Sequence, residues 1–231
     1  MHSRVYAVAG TLLVALAAPA SAQAVPTIEP LKPCYVTAGT AKNPQGEGVQ
    51  ISAQGFTPNA KVDLTVNGAP LNGSTGLQVG DTGVLPPLPG FPAPFVRKGI
   101  EDFTVTLTEQ GNAANTVTAT AKAVKLGVDI EPKRARPSQR ISFTGSGFTA
   151  DKPVYAHYTR RGRQVERVRL ARQTGECGTW SVRRPQFPMK NPGQGTWFVQ
   201  FDQSKKYVDG TLGTLESVYV RVRINVSLVP R

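Results

Sequence analysis

The sequence predicts an all-β protein built as two antiparallel β-sandwiches in tandem, preceded by a short processing segment. Three observations predict it. Apolar and polar residues alternate in short runs such as Val62, Leu64, Val66 and Val154, Ala156, Tyr158, the period of a strand with one buried face. Glycine (23) and proline (19) are plentiful among the 231 residues, which suits a chain of many reversals. A set of segments also recurs in the same order in the two halves of the chain.

Residues 1–24 read as a signal peptide. Arg4 supplies the charged start, residues 5–18 the apolar stretch, and Ala20-Ser21-Ala22 or Ala22-Gln23-Ala24 the small-residue cleavage site. The apolar stretch falls short of the ~20 residues that a membrane span needs. The mature chain is therefore expected to be exported, secreted or held at the cell surface, with no transmembrane span.

Ile28-Glu29-Pro30 opens the first half and Ile130-Glu131-Pro132 the second. Gly55-Phe56-Thr57-Pro58 matches Gly147-Phe148-Thr149-Ala150, and Pro89-Gly90-Phe91-Pro92 matches Pro185-Gln186-Phe187-Pro188. The alternating Phe103, Val105, Leu107 answers Trp197, Val199, Phe201, and Val117, Ala119 answers Val218, Val220. The offset drifts between 92 and 102 residues, as insertions in loops produce. These matches predict two sandwiches, residues 25–126 and 127–231, each with its own cooperative unfolding. The proline-dense stretch 85–95 is expected to cross between sheets and pack on the core rather than to serve as a polyproline ligand. The C-terminal Leu228-Val229-Pro230-Arg231 reads either as a scar resembling a protease site or as natural sequence.

The Gly-Phe-Thr-Pro turn at Gly55 to Pro58, with its counterpart at Gly147, resembles that of the immunoglobulin-like repeats of exported bacterial surface proteins. The likeness extends over nearly all of the chain after the signal peptide. The second copy departs from it at Thr149-Ala150, and the paired cysteines flanking a tryptophan are missing. The resemblance implies a sandwich topology in which the third, fourth and last two strands of a unit share one sheet. It implies a spacer, an adhesion module or a carbohydrate-binding domain, and brings no functional residue with it.

Catalytic constellations are sparse. After the signal peptide the only histidine is His157, so no histidine cluster for a metal exists and no cofactor or metal site is predicted. Cys177 lacks any local nucleophile signature beside His157, and an enzymatic role is not expected. Cys34 and Cys177 lie in different halves at unmatched positions. With sandwiches placed end to end they are expected to remain unbridged, beyond the ~7 Å Cα separation that a disulfide tolerates.

Charge is the informative signal. The chain carries a formal net charge of +12. Residues 25–126 hold seven Lys/Arg and seven Asp/Glu, whereas residues 127–231 hold nineteen and eight, a net +11. If the alternating apolar residues of the second half point inward, Arg167, Arg169, Arg221 and Arg223 point outward, together with Tyr155, His157, Tyr219 and Phe198. Thr159 and Gln200 join them. The equivalent face of the first half carries Asp63, Thr65, Thr104, Thr106, Thr116 and Thr118. Guanidinium groups match carboxylate and phosphate geometry, and aromatic rings stack on planar or sugar partners. The predicted partner is an anionic polysaccharide or cell-wall polymer rather than a specific nucleic acid. A solvated basic face is the bland alternative, as is a purely structural surface protein with a protein partner.

Overall fold

The alternating runs become strands in the computed structural model, which describes residues 25–88, 90–172, 174–209, 215 and 217–224. The signal peptide and the C-terminal Leu228-Val229-Pro230-Arg231 lie outside the described residues. The first half runs β1 (Thr27–Ile28), β2 (Cys34–Thr40), β3 (Asn43–Gly46), β4 (Gly48–Val49), β5 (Ala53–Gln54), β6 (Lys61–Val66) and β7 (Ala69–Pro70). It continues through β8 (Leu77–Gln78), β9 (Val84–Leu85), β10 (Phe91–Pro92), β11 (Ile100–Glu109) and β12 (Asn112–Lys125). The second half has β13 (Gly127–Glu131), β14 (Arg140–Ser146), β15 (Val154–Arg160), β16 (Arg163–Ala171), β17 (Trp180–Pro185), β18 (Gly195–Asp202) and β19 (Ser217–Ile224). Among the described residues the one helical element is a single 3-10 turn at Glu176–Gly178. None of the helices there is long and apolar enough to cross a membrane.

The strands assemble into an all-β, sandwich-like fold with two cores. In the first half a sheet of order β3-β2-β12-β11-β6-β7, with β8 also on β6, faces the small sheets β1-β5-β9 and β4-β10. Ile51, Phe56, Leu64, Leu85, Phe103 and Leu107 fill the space between them. The proline-dense stretch supplies β9 and β10, and its Leu88 and Phe91 pack on this core. In the second half β13-β14-β17 faces β16-β15-β18-β19. Phe143, Phe148, Tyr158, Trp180, Trp197 and Phe201 form that core, and the buried Tyr158 hydroxyl donates to the Gln186 carbonyl at 3.0 Å. The β15–β16 hairpin closes at Arg161 and Gly162, both at positive φ (52° and 75°), the two-residue turn whose twist matches its strands.

The glycines of the Gly145-Ser146-Gly147-Phe148 segment have two separate reasons. At Gly145 the Trp180 ring from β17 lies against the backbone, so a Cβ would sit 2.3 Å from a ring carbon. At Gly147, φ is +82° and a Cβ would meet the Leu126 Cα at 2.8 Å. Gly145→Ala is expected to destabilise the protein by about 1–3 kcal/mol through overpacking, read from the urea unfolding midpoint. An unchanged midpoint would mean that Trp180 is free to move away.

β2 contradicts the expectation for the cysteines. It is buried on both faces and pairs in parallel with the end of β12, Cys34 opposite Lys122 and Val36 opposite Val124. Tyr35 points into the first core, whereas Cys34, Val36 and Ala38 point into the second. Cys34 therefore lies at the junction of the halves and not at a far pole, and it forms a disulfide with Cys177 at a Cα separation of 5.3 Å. Around the bridge, Leu126 N–H donates to the Thr37 carbonyl (2.7 Å), Gly147 N–H donates to the Cys177 carbonyl (3.0 Å), and Lys122 pairs with Glu176.

Candidate functional site

The outer face of the β16-β15-β18-β19 sheet carries the residues that the sequence singled out. Register sets them in rows, because residues opposite one another in neighbouring strands share a face. One row reads Arg167, His157, Gln200, Tyr219; the next reads Arg169, Tyr155, Asp202, Ser217; and Phe198 sits opposite Arg221. Arg167, Arg169, Arg221, Arg223 and Phe198 are exposed. The matching face of the first half is a threonine surface, with Thr106 and Thr118 hydroxyls 3.0 Å apart.

The centre of the basic face is not open. Residues 203–209, which follow β18, fold back across it. His157, expected to project into solvent, is 0% exposed, and Gln200 (2%) and Thr159 (3%) are likewise buried. Tyr155 and Tyr219 are half-buried. Arg167 donates to the Lys205 carbonyl at 2.6 Å and lies 5.6 Å from the Tyr155 ring centroid, while Gln200 donates to the Val208 carbonyl at 3.0 Å. The Tyr219 hydroxyl donates to Asp209 at 3.0 Å. The strap thus separates the arginines into two pairs, Arg167 and Arg169 on one edge strand and Arg221 and Arg223 on the other. Alternation alone identifies the face of a strand; it carries no information about a loop that returns to cover it.

His157 anchors this strap. Its Nε2 lies 3.1 Å from Asp202 Oδ1 and 3.0 Å from the Ser204 carbonyl, and its Nδ1 lies 3.2 Å from Gln164 Oε1. All three partners are acceptors, so the doubly protonated ring satisfies them best. Burial pulls its pKa down, but the hydrogen bond and charge of Asp202, with Ser204 and Gln164, outweigh that and hold it above the ordinary value of 6.5. A raised folded-state pKa contributes stability in full below the unfolded value, and that stability is lost as pH rises through the folded one. Stability is therefore expected to decline as pH climbs above about 6.5. Unfolding midpoints of the parent and of His157→Gln across that range check this: the decline should be absent in the variant.

A second basic feature escaped the sequence reading. A groove of about 1120 Å³ runs between β19 and the β13 strand with the turn that follows it. Lys133, Arg134, Arg136, Arg221 and Arg223 line it, with Asp129 as its acid. The Lys133-Arg134-Ala135-Arg136 cluster was visible as a charge run, but only the fold brings it beside β19.

Cys177 and His157 do not form a catalytic pair, since Cys177 is bonded to Cys34 and His157 is tied to Asp202. No group of three or more potential metal-ligating His, Cys, Asp or Glu occurs among the described residues. Comparison with known proteins finds neither a family model nor a curated relative that matches this sequence.

Proposed function

We propose that this is an exported, non-enzymatic binding protein of two immunoglobulin-like sandwiches, residues 25–126 and 127–231 behind a signal peptide, whose second sandwich holds anionic surface polymers or acidic glycans. The observation that carries the reading is the placement of Arg167 and Arg169 on one edge and Arg221 and Arg223 on the other edge of a single sheet face, all four exposed. The three strand spacings between those edges amount to ~14 Å, at ~4.8 Å each. That span favours a chain with repeated charges over a single small anion. Exposed Phe198, opposite Arg221, adds an aromatic surface against which a sugar ring can lie. The first half, balanced in charge and surfaced with threonines, suits a spacer.

The test is retention of the full-length protein on an immobilised sulfated polysaccharide. Elution is expected to shift steeply with salt, since the Debye length falls from ~10 Å at 0.1 M to ~3 Å at 1 M. The double variant Arg167→Glu/Arg221→Glu is expected to pass through unretained. Because Arg167 also donates to the Lys205 carbonyl, its stability is expected to fall by about 1 kcal/mol, which leaves the variant folded. Equal retention of the variant would sink the reading.

A further inference from the structure

Apolar side chains from both sheets of the second half wall the basic groove. On β13 they are Val128 and Ile130, and on β19 Val220, Val222 and Ile224, each set alternating with polar or charged neighbours. With Ala135 of the turn after β13, these residues pack on the second core but are only half-buried, so part of their surface faces the groove. From Val220 to Ile224 the wall runs ~14 Å, at ~3.4 Å per residue. Contiguous apolar surface left uncovered in a concave site favours a ligand that brings apolar surface of its own.

The charge around this wall has one sign. Lys133, Arg134 and Arg136 follow Ile130 on the turn, and Arg221 and Arg223 flank Val222. Among the described residues none of these five cations pairs with a carboxylate, and the one acid of the groove, Asp129, pairs with Lys98 of the first half at 3.5 Å. Residues 225–231 offer Val226, Leu228 and Val229 but no Asp or Glu, so charge argues against them as the occupant. A sugar polymer would answer the cations and leave the wall wet; an uncharged lipid would do the reverse. We infer that the groove binds a single-chain lipid with an anionic headgroup, its acyl chain along the wall and its phosphate or carboxylate on the cations. This site goes beyond the sheet face proposed for anionic polymers, although Arg221 and Arg223 border both.

Calorimetric titration of the full-length protein with lauroyl lysophosphatidylglycerol, below its micellar concentration, tests the inference. Glycerol phosphate keeps the charge without the chain, and lauroyl lysophosphatidylcholine keeps the chain with a headgroup of no net charge. The anionic lipid is expected to bind at least about tenfold more tightly than either control. Its binding should carry a negative heat-capacity change, the mark of apolar burial, which glycerol phosphate should lack. Lys133→Glu/Arg134→Glu, at two exposed positions, should weaken the anionic lipid about tenfold, whereas Arg167→Glu/Arg169→Glu on the far edge should leave it unchanged. Equal binding of glycerol phosphate and the anionic lipid would overturn the inference and leave the polymer reading standing. Binding only after deletion of residues 225–231 would assign the groove to the chain itself and overturn it. Binding to phosphatidylglycerol vesicles without binding to the monomeric lipid would overturn it in favour of a membrane surface. Failure of the polymer reading has its own signature, loss of polysaccharide retention by the parent.

Discussion

Replacing Cys34 and Cys177 together by alanine is expected to lower the unfolding free energy by about 2–5 kcal/mol, a large part of a typical domain's stability. The bridge spans 143 residues, and the chain entropy removed from the unfolded state grows with the length of the closed loop. It also clamps β2, the strand that supplies Tyr35 to one core and Val36 and Ala38 to the other. Without the clamp the halves should uncouple. Urea unfolding followed by tryptophan fluorescence reads the second half, which contains both Trp180 and Trp197. Far-ultraviolet circular dichroism reads the whole. In the parent the two signals should change together; in the double variant the midpoint should fall and the two curves separate. Coincident curves at an unchanged midpoint would mean that the β2 packing holds the junction without the disulfide.

The parts of the fold read correctly from sequence are those that depend on neighbours in the chain. Alternation at Val62, Leu64 and Val66, or at Trp197, Val199 and Phe201, places one face of each strand in a core whatever the topology, and these residues are buried as expected. The turn at Arg161-Gly162 is likewise a local matter. The parts that were misread depend on contacts distant in the chain. Cys34 lies 143 residues from Cys177, and nothing near either cysteine announces that β2 crosses to the second core. His157 alternates outward along β15, yet residues 203–209 bury it. The basic groove combines residues 133–136 with 221–223, two segments far apart in the chain that only the fold brings together. On the candidate face, the exposure of the four arginines and Phe198 was legible; their division into two pairs was not.

Charge reversal on the sheet face is the other large expected effect. Each guanidinium that neutralises a polymer charge releases a counterion, so binding weakens with salt by roughly 0.7–0.9 of a logarithmic unit per logarithmic unit of salt for each contact. Four arginines in contact predict a slope of about −3. Reversing Arg167 and Arg221 removes two contacts and introduces two repulsions, one at each edge of the face. The most direct test of the account is therefore the affinity of the full-length protein for a soluble sulfated polysaccharide, titrated at several salt concentrations in parent and Arg167→Glu/Arg221→Glu. A steep slope is expected for the parent, with affinity lowered and the slope at least halved in the variant; equal affinities with equal slopes would contradict polymer binding by this face.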